Sequence, residues 1–470
     1  MQYPVAIIAS VAMFLALGSR ERLETRDSFE FEPSAQTVRQ IRWPRKTLEI
    51  SFSTSLLSPG ANVKPDSDVV GAARRALNRW SSLSNINFVV TWSPVTSVSP
   101  AEAGDGVNLL TIATTPENEA FNSDSTTGRT RVFFDPETGH IVEADISINP
   151  RPQDEDGMEL QFSTDGTPGT YDLEATFTHE IGHLLGLDHS VLLSSTMQGR
   201  QAVNGTFGLP ALTERTLSEE DRQKVRSLYG PRQRLGRVEG RLADNRTPGV
   251  LIPLNGASVW AENIANGRVI ASDLTAEDGS YKLEGLTPGQ YRVIVASGPE
   301  AAQKFRSFEL ASQLTVKADT PALLNSSLVP AQASALNPRV IGLNAELSNV
   351  ALPLVAGKRV KIYLGGEGVD QVPGTSISVN SPFFTVDPAS LAREQIAAPF
   401  PVVSIELQVA ANTPVGDYTI RLQSNSGETA YVPGAITIDP GALAIAPSPT
   451  DDFWTLIAQL YPDLLRIDPR

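Results

Sequence analysis

Three of the four histidines in this 470-residue chain fall inside one short stretch, THEIGHLLGLDHS, Thr178 to Ser190. On a helix His179 and His183, four residues apart, project from one face about a turn apart. Two imidazoles so placed share a metal ion, and zinc accepts such nitrogens at about 2.0–2.1 Å. Glu180 follows the first histidine directly and is aimed at a metal-bound water, not at the ion. Gly186 can take a positive φ, so the chain can reverse there and return His189 as a third ligand. Three neutral imidazoles leave a fourth position to water, the pattern of a catalytic zinc and not of a closed structural one. Such an ion lowers the pKa of its water and polarises a carbonyl, with Glu180 as general base.

These groups need a rigid frame. Asp172 is placed to cap a helix through LEATFTHEIGHLL, and Gly186 to end it in a left-handed conformation. Upstream, TLEISFS alternates Leu48, Ile50 and Phe52 as a strand does. A helix follows, with Val69, Ala73, Leu77 and Trp80 on one face and Asp66 or Ser67 as its cap. Residues 86–92, 107–112, 130–134 and 141–148 read as further strands. Strand, helix, strands and helix make an α/β or α+β layout.

HEIGHLLGLDH matches the elongated zinc signature of the metzincin metalloproteases, and Met197, eight residues after His189, stands where the matrixin branch has its Met-turn. TLSEEDRQKVRSLYG resembles the matrixin C-terminal helix, GHIVEADISINP the strand before the site, and YDLEATFTHE the approach to the zinc helix. The resemblance runs over roughly residues 40–231. It implies an α+β catalytic domain with a twisted mixed sheet and a zinc helix. It also implies a zinc endopeptidase acting on protein or peptide substrates, with His179, His183 and His189 on Zn2+, Glu180 catalytic and Met197 as an apolar floor.

The chain departs from the family in several places. His140 is the only other histidine, so the structural zinc site of animal matrixins cannot be built, and no cysteine is present to silence a proenzyme. Asp154, Glu155 and Asp156 offer a Ca2+ site, against the plainer reading of a solvated acidic loop. Gln198 replaces the tyrosine that follows the Met-turn methionine in the family.

A net charge of −15 argues against nucleic acid as a partner. The absence of cysteine excludes disulfides and thiolate chemistry. The apolar run Val5–Leu17 is too short to span a bilayer and suits a signal peptide over residues 1–18, hence a secreted or cell-envelope protein without membrane insertion. Residues 19–41 read as linker or short pro-segment and 42–231 as the catalytic domain. Beyond Gly230 helical signals nearly vanish. Residues 235–300 alternate between Asn-Gly, Asp-Gly-Ser and Pro-Gly turns and resemble a carboxypeptidase regulatory-like, transthyretin-like sandwich. Residues 301–440 resemble an Ig-like β-sandwich through TPVGDYTIRLQSNSG. Residues 441–470 read as linker and tail, with a short apolar stripe, Phe453 to Leu464. Two functions follow. One is a secreted zinc endopeptidase whose β domains hold it near an extracellular matrix or cell-surface ligand. The other is an adhesion or scaffold protein carrying a degenerate protease domain.

Overall fold

The computed structural model describes residues 24–27, 40–122, 126–154, 156–230, 234–245, 250–298, 305–328 and 335–439. The expected signal peptide and the C-terminal tail lie outside them.

The N-terminal half is built on a six-stranded mixed sheet. Its strands are β1 (Glu24–Asp27), β2 (Thr47–Ser53), β3 (Asn87–Ser93), β4 (Leu109–Thr111), β5 (Gly128–Phe134) and β6 (Ile141–Ile148), in the order β1-β5-β6-β4-β2-β3. The pairs β2–β3, β2–β4 and β4–β6 are parallel, whereas β5 runs antiparallel to both β6 and β1. Four residues of the expected linker, Glu24–Asp27, thus form an edge strand against Arg131–Phe134. β6 is buried along nearly its whole length, as a strand covered on both faces must be.

Helix α1 (Val69–Ser81) buries Val69, Ala73, Leu77 and Trp80 against the sheet and against the later helix that carries the histidines, and a short helix α2 (Pro116–Phe121) follows β4. The cap of α1 is Asp68, two positions past the expected Asp66 and one past the alternative Ser67. Asp68 accepts from the Gly71 N–H, while its second oxygen pairs with Arg75 at 2.8 Å. That extra pairing favours Asp68 over its neighbours.

The C-terminal half is all β. In a first β unit, strands Gly236–Asp244 and Ser280–Leu286 lie in one sheet, and Ala257–Asn263, Val269–Leu274 and Gly289–Ser297 in another. The two sheets share an apolar cluster that includes Val238, Leu283, Val259, Tyr291 and Val293. A second β unit pairs a sheet holding Asn337–Leu343, Arg359–Glu367 and Val402–Val409 with one holding Gly416–Gln423 and Thr429–Ile438. The expected boundary at residue 300 is too early. Phe308–Val316 pairs with Gly289–Ser297, and Pro321–Leu323 and Ser326–Leu328 pair with Gly236–Asp244, so the first unit runs to about residue 328. FELASQLTV is largely half-buried or exposed, which is why its alternation is too faint to assign from sequence.

Neither unit stands clear of the N-terminal half. Ala202, Phe207, Leu209 and Ala211 are buried in the same core as Ile341, Leu352 and Ile436 of the second β unit. Leu192 is enclosed by Trp260, Val269 and Ile294 of the first unit and Tyr431 of the second.

Candidate metal centre and catalytic site

Helix α3 (Leu173–Leu184) carries the first two histidines. Its N-cap is Asp172, as expected, whose side chain accepts from the Ala175 N–H at 2.9 Å. The same carboxylate is gripped by the guanidinium of Arg215 at 2.9 and 2.7 Å, both groups being buried. Glu174, in the first turn, is fully buried and pairs with Arg75, Arg79 and Arg215. The helix end is closed by two groups absent from the sequence reading. The Trp43 indole donates to the Leu184 carbonyl at 2.8 Å, and the Tyr229 hydroxyl donates to the Leu185 carbonyl at 2.6 Å.

Gly186 has φ +88°, and a β-carbon there would lie 2.3 Å from the Ile41 carbonyl oxygen. Only glycine therefore permits the reversal that brings His189 back. The ring centroids of His179, His183 and His189 lie 4.7, 4.8 and 5.3 Å apart, and one ligand atom from each falls within 4.8 Å of the others. Among the described residues this is the one group of three or more His, Asp or Glu side chains close enough to share an ion. His140 lies elsewhere, bridged to Arg42. In the acidic loop Asp154 is occupied with its own turn, accepting from the Asp156 and Met158 N–H groups.

The donor set fits zinc on an observation of its own. His179 Nδ1 lies 2.7 Å from the Thr196 carbonyl oxygen and His183 Nδ1 lies 2.8 Å from that of Leu187. A carbonyl can only accept, so in the neutral rings each Nδ1 carries the proton and each Nε2 a lone pair. The two Nε2 atoms face each other at 3.0 Å. Two lone pairs that close repel unless a cation joins them, and tetrahedral zinc places its ligand nitrogens about 3.3 Å apart.

Met197, packed against Gly182, is fully buried. A β-carbon on Gly182 would come within 2.2 Å of its sulfur, so the glycine inside HEIGH makes room for that methionine. The turn is held from a distance: Asp221 accepts from the Ser195 hydroxyl at 2.6 Å and from the Thr196 N–H at 2.9 Å. Asp221 sits in the capping box of α4 (Glu219–Tyr229). Helix α4 thereby fixes Thr196, and the Thr196 carbonyl in turn orients His179.

Glu180 is 2% exposed, and its Oε2 accepts from the Thr130 hydroxyl of β5 at 2.6 Å. Burial pushes its carboxyl above the usual range, opposed by His179, the Thr130 bond and Arg129. A β-carbon on Gly128 would lie 3.2 Å from Glu180 Oε1, so the bare glycine keeps that oxygen's surroundings open. Sequence spacing had no means of finding Thr130 or Asp221, because each reaches the site across elements and not along one.

Residues 109–230 match the Matrixin family model. Metalloendoproteinase 1-MMP of Arabidopsis thaliana is 30% identical over 205 residues, which is 41% of this chain and 46% of that one. Metalloendoproteinase 1 of Glycine max is 25% identical over 202 residues, 40% of this chain and 53% of its own. The chain thus spans about half the length of these relatives, and the family-model match ends at Gly230, just past α4. For the β region, BcpA, the major pilin subunit of Bacillus cereus, is 14% identical, covers 43% of this chain and 69% of its own, and has a TM-score of 0.16. A score that low carries no argument. Among the described residues no helix is long and apolar enough to cross a membrane.

Proposed function

We propose that the chain is a secreted zinc endopeptidase. The observation that carries this is the convergence of three imidazoles, two of them locked with Nε2 inward, beside a buried carboxylate on the same helix. The Matrixin match supports it at the level of the zinc metallopeptidase class.

His179, His183 and His189 hold the ion, with Met197 as the floor beneath them. Zinc bound there supplies Lewis acidity, drawing the pKa of water towards about 7 and polarising the substrate carbonyl. The protein's own groups do the rest. Thr130 engages Glu180 Oε2 and fixes the carboxyl plane, which leaves Oε1 to take the proton of the attacking water. Glu180 then returns that proton to the departing amine. The raised pKa of Glu180 suits this double duty, since an acid–base group works best when its pKa approaches the working pH.

The test is hydrolysis of casein by the full-length protein, with and without chelator, beside Glu180→Ala. Chelator-sensitive cleavage lost in Glu180→Ala, with zinc still bound, is the expected result. Equal hydrolysis by both proteins removes this reading and leaves adhesion or scaffolding as the function of the chain.

A further inference from the structure

His179 and His183 are fixed by helix α3 and by the Thr196 and Leu187 carbonyls. His189 stands past the end of that helix, so its position depends on the chain to either side: Gly186 before it, and after it the loop that runs on to Met197. The Ser190 N–H donates to the Met197 carbonyl at 2.8 Å, which closes this loop at its base. The tip of the loop is buried in the β region. Leu192 is fully buried in a cluster with Trp260, Val269 and Ile294 of the first β unit and Tyr431 of the second. The Trp260 and Tyr431 rings meet edge to face, 5.7 Å apart. The Leu193 N–H donates to the Pro433 carbonyl at 3.2 Å. A β-carbon on Gly434 would lie 2.6 Å from Ser194 Oγ, so the backbone of the second unit closes directly on the loop. The second unit also borders a cavity of about 80 Å³ beside His179, through Val350, Ala351 and Pro353.

A buried carboxylate ties the base of the same loop to the first unit. Glu220 of α4 is 1% exposed. Its Oε2 accepts from the Ser190 hydroxyl and its Oε1 from the Ser272 hydroxyl, both at 2.5 Å, and Lys224 pairs with Oε1 at 2.6 Å. Ser190 directly follows His189, and Ser272 lies in the strand Val269–Leu274 of the first unit. One side chain thus bridges the neighbour of the third histidine and the β region. Ordering a loop costs backbone entropy, and here the burial of Leu192 between the two units offsets that cost.

We propose that the β region is a working part of the metal centre. Leu192 and Glu220 are positioning residues: the loop seated between the two β units holds His189, and through Thr196 also His179, where they serve the ion. The inference rests on the zinc reading of the site and adds a role for the C-terminal half. A tether could be detached without effect on the metal, whereas loosening this seat slackens the third ligand.

The experiment measures zinc affinity of the full-length protein by competition with a chromophoric chelator, well below the melting temperature of each variant. It also records the visible spectrum of the Co2+-loaded protein, because that spectrum reports coordination geometry. Leu192→Ala should raise the zinc Kd about tenfold or more, the usual scale for groups that support metal ligands from behind, and should change the Co2+ spectrum. Leu192→Met, which keeps the apolar volume, should restore both. Ser272→Ala should raise the Kd about fivefold, the worth of one hydrogen bond, and carries the test alone should Leu192→Ala fail to fold. Leu283→Ala is the control: it opens the core of the first unit away from the loop and should lower the melting temperature with Kd and spectrum unchanged. Wild-type Kd and spectrum in Leu192→Ala and Ser272→Ala overturn this proposal alone, as does an equal loss of affinity in Leu283→Ala. A wild-type protein that binds no zinc overturns the zinc reading and this proposal with it.

Discussion

Two stretches of chain meet at His179, and they are built in opposite ways. Asp172–His189 sets its ligand spacing locally. Its cap, its two in-line histidines and its reversing glycine lie within eighteen residues, and their geometry follows from the 3.6-residue period and one positive φ. Gln198–Arg215 is held from outside. Ala202, Phe207, Leu209 and Ala211 are buried in a core whose remaining buried members begin at Leu336, and Arg215 reaches back to the Asp172 cap. The first stretch supplies chemistry and the second supplies shape. The contrast teaches that the spacing of the metal ligands can arise from local rules, whereas the cavity beside them depends on how distant parts of the chain dock.

The sharpest way to break the comparison is to remove each stretch's key group. Glu180→Gln should lower kcat by about 10²–10⁴-fold with zinc content unchanged, read by peptide hydrolysis and elemental analysis. His189→Ala should bind zinc poorly. Wild type should gain about 4 kcal/mol of stability at zinc concentrations a thousandfold above its Kd, and His189→Ala should lose most of that gain in calorimetry.

In the second stretch, Phe207→Ala should cost about 3–5 kcal/mol in denaturant unfolding, because a large ring leaves a filled core. If the comparison holds, zinc binding survives in the folded fraction of that variant. Loss of zinc in the same step would show that the two stretches are one unit.

Gly182→Ala tests one of the places where the helix depends on its neighbour. Its new methyl group meets the Met197 sulfur, so a loss of about 1–3 kcal/mol is expected. Met197→Ala in the same chain should recover part of that loss.

The smallest effect concerns pH at the junction. Asp417, buried in the second β unit, has its carboxyl raised to about 7 by burial, with the charge of Asp221 adding to it. A folded pKa above the unfolded value of about 3.9 means that the folded state holds the extra proton. The stability this contributes is present below about pH 4 and is lost as pH rises towards 7. Asp417→Asn should flatten that fall and be about 1–2 kcal/mol more stable than wild type at pH 8, measured as melting curves from pH 4 to 8.

Much of the site was legible because its rules are short-range. A spacing of four residues, an aspartate before an apolar helix and a glycine after it are all visible in one line of sequence, and Asp172, His179, His183 and Gly186 take those positions. The cap of α1 was misplaced by one or two residues because Arg75 and Thr164 select Asp68, and neither contact shows in the local pattern. The true reach of the first β unit was hidden by the weak alternation of Phe308–Val316. Thr130, Trp43 and Asp221 left no signal at all, since a hydroxyl, an indole and a helix-cap carboxylate look ordinary until something across the fold needs them.

By itself the sequence determined which side chains come together on one helical face, because backbone geometry over a dozen residues admits few alternatives. Only the tertiary structure decided which carbonyls orient those rings, which carboxyl is buried beside them, and that residues 350–353 border the cavity. Those are contacts between segments far apart in the chain, and they exist only once the apolar clusters of the two halves have closed on each other.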